Sequence, residues 1–218
     1  MRHPTQFAFS RTIFVPMLIA LLSGFGFAQT SDRETRAAQW DGYQLPEGKF
    51  VRFVDRQKGY SLWHPANWKD RLAPNGVRLF QPAPQSVNLV VLTEDIPEGF
   101  GVANYTSSYL QGLRNQPTVE DSVLVRRAMM NGLEWREVSY DIDRQGSVIH
   151  QTIWLTAVGA RAYGFALTTP LGDLEKDEAL FKRIMMTVRI GAAGHWDEEF
   201  ENLHQKFAQT VPPDGREV

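Results

Sequence analysis

The chain has 218 residues, of which 43% are hydrophobic and 22% are charged, with 23 Lys and Arg against 25 Asp and Glu. These values are typical of an ordinary globular protein with one well-buried domain, and a second full domain is not expected. The net charge of −2 excludes the basic surface of a nucleic-acid-binding protein, so no nucleic acid partner is expected. The sequence has no cysteine, which excludes disulfides, thiolate metal ligands and a cysteine nucleophile.

The N-terminus has the layout of a secretory signal peptide. Arg2 and Arg11 precede an apolar run over residues 13–27, and small residues end the run at Ala28. We predict that residues 1–28 are a signal peptide cut after Ala28, which implies a periplasmic or secreted protein. The alternative is an uncleaved membrane anchor, but the run is shorter than the ~20 apolar residues that a spanning helix needs. No other segment is long and apolar enough, so no transmembrane segment is expected after cleavage.

Three segments follow the predicted signal peptide. Residues 29–48 are polar and aperiodic and are predicted to be a linker, whereas residues 49–190 carry the hydrophobic periodicity of a domain. Residues 191–218 begin with a glycine-rich hinge and are predicted to form an amphipathic helix and a tail. The apolar stripe of this appended helix consists of Trp196, Phe200, Leu203 and Phe207. We expect the stripe to pack either on the domain or on a partner chain.

The first half of the domain is predicted to contain strands followed by a helix. The strands are Phe50–Asp55, Tyr60–His64, Val77–Gln81 and Val87–Thr93. Beyond the second strand, Trp68 is expected to fold back onto the core because its large ring gains most from burial. An amphipathic helix is predicted over Gly101–Asn115 and a further strand over Ser122–Met130.

The second half contains a meander of three antiparallel strands. They are Leu133–Asp143, Val148–Val158 and Arg161–Thr169. Glycine turns join them, and Asn131–Gly132 before the first strand is the strongest short hairpin signal. The first two strands are too mixed on both faces to be half-solvated, which indicates a sheet covered by helices on both sides. The predicted fold class is therefore α+β, with a central antiparallel sheet flanked by helices.

The last strand of the meander has one face of large side chains and one face of small ones, because side chains alternate along a strand. The small face consists of Ala162, Gly164 and Ala166. Small side chains allow a helix backbone to approach closely, so we predict a helix on this face. The predicted occupant is the next amphipathic segment, Asp173–Val188, which carries acidic residues in its first turns.

Two motifs at the ends of the domain resemble the PsbP-like family, including its DcrB-type bacterial periplasmic members. Residues 59–68, GYSLWHPANW, look like the family's opening motif GYSxxYPxxW. Residues 171–190 are similar to its closing helix and strand, and the order of elements between the motifs matches as well. The resemblance covers about residues 49–190. The chain also looks similar to domains appended to the C-terminus of some bacterial zinc metallopeptidases, where they carry no catalytic residues.

The resemblance implies an antiparallel sheet between helices, an α/β/α sandwich, with a non-enzymatic accessory or binding role. The manganese-associated histidine and acidic residues of the photosynthetic members have no matching position in this chain. No functional site is therefore carried over from the family, and neither a metal nor another cofactor is expected.

The histidines do not form a zinc-hydrolase motif. Hydrolysis of the HExxH type needs two histidines one helical turn apart, and this spacing does not occur. His195 and His204 lie nine residues apart on the appended helix, about 13 Å along its axis, and cannot bind one ion there.

Two other histidines lie beside tryptophans on predicted strands. His64 ends a strand next to Trp63, and His150 lies on a meander strand near Trp154. If these strands are neighbours, the four side chains line a binding groove. The alternative is that His150 is hydrogen-bonded to a neighbouring residue and His64 lies at a strand end on the surface.

The candidate catalytic acids and nucleophiles also lack the features of an active site. The carboxylate pairs Asp141 with Asp143 and Glu134 with Glu137 read as solvated strand positions, without the apolar pocket that raises a catalytic pKa. No serine lies in a nucleophile elbow of the GxSxG type.

We therefore expect an exported, non-catalytic accessory or binding domain with an unknown protein or small-molecule partner. The alternative is a small-molecule-binding or metal-binding enzyme that uses the groove near His64 and His150.

Overall fold

The computed structural model describes residues 50–73, 76–82, 87–116, 119, 123–144 and 146–191. Within these residues the chain forms ten strands and two α-helices. The strands are β1 (Phe50–Asp55), β2 (Tyr60–Pro65), β3 (Lys69–Leu72), β4 (Arg78–Gln81), β5 (Asn88–Asp95), β6 (Leu124–Met130), β7 (Leu133–Arg144), β8 (Ser147–Val158), β9 (Arg161–Pro170) and β10 (Arg189–Ile190). The helices are α1 (Val102–Arg114) and α2 (Leu174–Thr187). Neither helix is long and apolar enough to cross a membrane.

The strands form two antiparallel sheets. The larger sheet has seven strands in the order β3-β4-β5-β9-β8-β7-β6, and the smaller has three in the order β1-β2-β10. The meander of β7, β8 and β9 continues into the first half of the domain because β9 also pairs with β5 along eight residue pairs. Every strand of the larger sheet therefore depends on the meander for its position.

Helix α1 covers one face of the seven-stranded sheet. Its residues Tyr105, Tyr109 and Leu113 are buried against the alternate residues of β7 and β8 that point toward it, including Val138 and Ile153. The spacing of four between the buried helix residues is the amphipathic pattern predicted for this segment. The predicted helix is therefore confirmed.

Helix α2 and the three-stranded sheet share the opposite face. Phe181 and Ile184 of α2 are fully buried there together with Trp135 and Phe165 of the large sheet. The small sheet contributes Tyr60, whose ring lies 5.8 Å from that of Phe165 in an edge-to-face contact. This side of the sandwich thus consists of a helix and a hairpin layer, not of helices alone.

The prediction that α2 occupies the small face of β9 is wrong. Ala162 and Ala166 belong to the core under α1, whereas α2 packs on the face with the large side chains. A methyl group added at Gly164 would lie 3.2 Å from Cδ1 of Ile153 and 3.3 Å from Cδ2 of Leu155. The small residues of β9 thus make room for the long side chains of the neighbouring strand.

The predicted fold class is confirmed, and most elements lie where the sequence predicts them. Trp68 is buried in the core, as expected. Strand β3 was not predicted, because its sequence Lys-Asp-Arg-Leu is charged and every residue in it is exposed. It pairs with β4 and forms one edge of the larger sheet.

A charged cluster between the sheet and helix α2

A cluster of polar side chains lies between helix α2 and strands β7 and β8. The strand register places Asp141 directly opposite His150, and Ser139 directly opposite Thr152. Because side chains alternate along a strand, these four residues share the face of the sheet that is covered by α2. Glu178 of α2 completes the cluster from above, with hydrogen-bond contact to Thr152.

The imidazole of His150 is held on both sides. Its Nδ1 lies 2.7 Å from Oδ1 of Asp141. Its Nε2 lies 3.1 Å from Oγ1 of Thr152 and 3.5 Å from Oε1 of Glu178. The Thr152 hydroxyl in turn donates to Oε1 of Glu178 at 3.2 Å. With both ring nitrogens facing oxygen acceptors, the arrangement fits the doubly protonated imidazolium.

The electrostatics of the cluster favour the same charged form. Burial opposes the charge on His150, but the hydrogen bonds and charges of Asp141 and Glu178 outweigh it and raise the pKa of His150 to about 9. The hydrogen bond from His150 lowers the pKa of Glu178, against the opposing effect of its own burial. At neutral pH the cluster is therefore an imidazolium between two carboxylates.

A third carboxylate, Glu137, lies further along the same face. Glu137 is only 7% exposed, and burial raises its pKa, while the charges of Lys182 and Arg126 partly offset this effect. Burial also lowers the pKa of Lys182. Glu137 lies on β7 and Lys182 on α2, so their opposite charges attract across the boundary between the sheet and this helix.

The order Asp141, His150, Thr152 resembles a catalytic triad in its distances but not in its chemistry. A general base must be unprotonated at the working pH, whereas the raised pKa keeps His150 protonated at neutral pH. Thr152 is 1% exposed and its hydroxyl donates to Glu178, so a substrate carbonyl has no approach to it. The geometry is that of an ionic clamp that fastens α2 to the sheet.

A protonated imidazole has no lone pair for a metal ion. Among the residues that the structure describes, no group of three or more His, Asp or Glu side chains is arranged to hold a metal ion.

The structure gives the residues of the predicted groove separate partners. His64 is 5% exposed, its Nδ1 lies 3.0 Å from the carbonyl oxygen of Pro65, and its ring lies 4.9 Å from that of Phe80 on β4. Burial lowers the pKa of His64, the opposite direction to His150. The expectation that His64 is a surface residue at a strand end is wrong, because His64 is buried with its ring against that of Phe80. Binding by a shared groove remains an untested prediction.

The two tryptophans of that groove also lie in different surroundings. Trp63 is half-buried, and its backbone N–H donates to Oγ1 of Thr187 at 2.9 Å. Trp154 is buried, with its ring 6.3 Å from that of Trp135. Its Nε1 is buried without a hydrogen-bond partner in the described part of the chain. The residues predicted as a partner interface lie outside the described residues; they are Trp196, Phe200, Leu203 and Phe207.

The interpretation of the carboxylates as solvated is wrong for two of the four. Glu137 is buried, and Asp141 is half-buried against His150. Asp143 is exposed and accepts a hydrogen bond from the backbone N–H of Gly146, and Glu134 forms surface ion pairs. The mutual position of Asp141 and His150 follows from the turn between their strands, which the sequence does predict. Glu178 had no comparable signal, because its position depends on the packing of α2.

Comparison with solved structures supports the fold. No protein-family model matches the sequence, and no curated protein matches it. Among solved structures, cyanobacterial PsbP (CyanoP) from Synechocystis sp. PCC 6803 is similar with a TM-score of 0.55 and 15% identity. The match covers 72% of this chain and 98% of that protein.

Two further structures match with lower scores. The Saccharomyces cerevisiae Ran-binding protein Mog1p has a TM-score of 0.48 and 8% identity, covering 69% of this chain and 100% of that one. A protein from Bacteroides thetaiotaomicron has a TM-score of 0.48 and 15% identity, covering 76% and 60%. At 15% identity the likeness to CyanoP is one of fold, and it agrees with the resemblance noted in the sequence. The chain therefore has a PsbP-like fold.

Proposed function

We propose that the protein is an exported, non-catalytic binding domain that engages an extended acidic segment of a partner protein along strand β6. The observation that carries this proposal is the open edge of the seven-stranded sheet at β6. In the described part of the chain β6 pairs only with β7, so no described strand pairs with the N–H and C=O groups on the other side of its backbone.

The two edge strands of this sheet, β3 and β6, differ in length and in composition. Strand β3 has four residues, three of them charged, and such short charged edges discourage pairing with other chains. Strand β6 has seven residues, five of them apolar. Leu124, Val125 and Met129 are 46%, 41% and 67% exposed, although burial would favour all three.

The charge of β6 indicates the charge of the partner segment that would bind to it. The strand carries Arg126 and Arg127 and no acidic residue; Arg127 forms an ion pair with Glu134 of β7 at 3.2 Å but is still 67% exposed. A second copy paired along β6 would bring like charges together, whereas an acidic extended segment would pair with them. Addition of a partner strand uses main-chain hydrogen bonds for affinity and alternate side chains for specificity, which suits this edge.

The state of the polar cluster supports a non-catalytic role. Both nitrogens of His150 are engaged inside the protein, and Thr152 is buried. The proposal that the protein is exported is based on the predicted signal peptide. The experiment below is therefore done in cells that export the chain.

The test is site-specific photo-crosslinking in cells that export the full chain. A photoreactive phenylalanine analogue at Met129 should crosslink to a partner, and mass spectrometry should map the crosslink to an acidic extended segment. Arg126→Glu combined with Arg127→Glu should reduce the yield at least tenfold, because the charges then repel the acidic segment. A synthetic peptide of the mapped segment should bind the purified wild type and not the charge-reversed variant.

The matched control places the same analogue at Leu72, which is 60% exposed on the opposite edge strand. Equal crosslinking at Leu72, a crosslink to a second copy of the chain, or an unchanged yield in the charge-reversed variant would each contradict the proposal. Equal far-UV circular dichroism of the variants excludes misfolding as the cause.

A further inference from the structure

The three-stranded sheet has an outer face that points away from the larger sheet. Phe53 and His64 point inward, since their rings lie 5.1 Å and 4.9 Å from that of Phe80. The residues that alternate with them point outward. The outward set consists of Phe50, Arg52 and Val54 on β1, Ser61 and Trp63 on β2, and Arg189 on β10.

This outer face is not a solvated strand surface. Ser61 has no exposed area, and Val54 and Trp63 are only half-exposed. The face is also basic and aromatic, because Arg52 lies opposite Trp63 across the strands and the guanidinium of Arg183 from α2 lies 5.8 Å from the ring centre of Phe50. Such a surface fits an occupant with aromatic side chains and acidic flanks.

We infer that residues 195–209 of the same chain dock on this outer face as an amphipathic helix. Their stripe of Trp196, Phe200, Leu203 and Phe207 would cover Val54 and Trp63. The acidic residues Asp197, Glu198, Glu199 and Glu201 would lie beside the arginines of the face.

The connection has the right position and length. The backbone N–H of Gly191 donates to the carbonyl oxygen of Gly59 at 3.0 Å, so the chain leaves the domain beside the start of β2. The four peptide steps from Gly191 to His195 reach at most about 14 Å. A helix of fifteen residues would be about 22 Å long, and the six-residue strands β1 and β2 are about 20 Å long.

Charge distinguishes this segment from the other candidate, the stretch before β1. Residues 192–218 contain six acidic residues and two basic ones, whereas residues 29–49 contain four and three. The C-terminal segment therefore has the stronger attraction to a face with three arginines. Attraction between opposite charges fixes orientation, and burial of the aromatic stripe supplies the affinity.

The absence of cysteine from the sequence makes the proposal directly testable. Val54→Cys and Leu203→Cys are introduced together into the full chain and treated with a short bis-maleimide. We expect an intramolecular crosslink that forms at least tenfold faster than in the matched pair Val54→Cys with Gln205→Cys. Gln205 lies on the opposite side of the same predicted helix, so it tests the docked face and not mere proximity.

Three outcomes would overturn the proposal. Equal rates for the two pairs would mean that the segment does not dock by its apolar stripe. A crosslink between two chains would assign the stripe to a second copy. A faster reaction of Val54→Cys with Trp40→Cys than with Leu203→Cys would assign the face to the N-terminal segment. None of these results depends on the partner proposed for β6.

Discussion

Nδ1 of His150 lies 2.7 Å from Oδ1 of Asp141, and the two residues face each other directly across strands β8 and β7. The pair lies beneath α2, which adds Glu178 on the other side of the ring. The charge on His150 therefore contributes to how firmly α2 is held on the sheet. This contribution depends on pH because the imidazole can lose its charge.

The first prediction concerns this pH dependence. The pKa of His150 is raised from 6.5 to about 9 in the folded protein, so the stabilisation is fully present below about pH 6.5 and is lost as the pH rises through 9. The loss should be on the order of 2 kcal/mol, allowing for partial exposure of the carboxylates. His150→Gln should be less stable than the wild type at pH 6.5 and should approach it at pH 9.5, as measured by urea unfolding.

The matched control is His64→Gln. Burial lowers the pKa of His64, so its effect on stability appears when the pH falls below 6.5 and not between 7 and 9. The control should therefore keep the wild-type slope in the alkaline range. The groups that face His150 are Asp141 on β7 and Glu178 on α2, with Glu137, Lys182 and Arg126 nearby. If the free energy of unfolding of His150→Gln changes with pH between 7 and 9 as steeply as that of the wild type, the pH dependence comes from those groups instead.

The second prediction concerns Asn131 in the turn between β6 and β7. Its φ of 53° lies in the left-handed region, and the next residue, Gly132, has a φ of 74°. The Asn131 side chain also donates to the carbonyl oxygens of Met186 and Val188 at the end of α2, at 3.2 Å and 2.8 Å. The residue thus serves both the turn and the end of the helix.

Two substitutions separate these roles. Asn131→Gly keeps the backbone conformation and loses the hydrogen bonds, so it should destabilise the protein by about 1 kcal/mol. Asn131→Ala loses the bonds and also strains the turn, so it should cost roughly 1 kcal/mol more. Thermal unfolding measures both. Equal Tm values for the two variants would show that the positive φ carries no cost at this position.

The third prediction concerns the packing of β9. Gly164→Ala places a methyl group 3.2 Å from Cδ1 of Ile153 and 3.3 Å from Cδ2 of Leu155, closer than ordinary contact. The side chains must shift, and we expect a loss of about 1–2 kcal/mol in urea unfolding. Gly101→Ala is the control, since a methyl group there meets nothing within 4 Å. Combining Gly164→Ala with Ile153→Val should recover part of the loss; no recovery would mean that the strain has another source.

The sequence predicts the fold through local periodicity and turns. The alternation in β7 to β9 and the helical spacing of Tyr105, Tyr109 and Leu113 both give the observed elements. It does not predict which helix takes which face, because that choice depends on how neighbouring strands fill the space at Gly164. A face of small residues can receive a helix backbone or the long side chains of adjacent strands, and one strand's sequence does not distinguish the two.

The same limit applies to the candidate site. His150 and Asp141 are joined by the register of one hairpin, which a two-residue turn fixes. Glu178 and Lys182 come from α2, and their contact with β7 and β8 depends on the tertiary placement of that helix. Burial of Glu137 likewise follows from α2 covering the strand. A carboxylate that is solvated in an isolated hairpin is thereby converted into a buried one.

The fourth prediction concerns a buried polar row under α1. Oη of Tyr109 lies 2.7 Å from Oη of Tyr140, which donates to Oε1 of Gln151. Nε2 of Gln151 donates to Oγ1 of Thr168 at 3.1 Å, so the row runs from α1 across β7 and β8 to β9. All four residues are buried, and each group therefore depends on its neighbours for hydrogen bonds.

The two tyrosines occupy different positions in this row, and this predicts unequal effects. Tyr109→Phe removes the end donor and should cost about 1 kcal/mol, whereas Tyr140→Phe leaves the Tyr109 hydroxyl and Oε1 of Gln151 without their partner and should cost about 2–3 kcal/mol. The double variant should cost less than the sum, since Tyr109 no longer has a stranded hydroxyl. Urea unfolding of the four proteins gives the coupling energy, which should be about 1 kcal/mol. Additive losses would mean that the two hydroxyls do not interact, because a shared hydrogen bond can be lost only once.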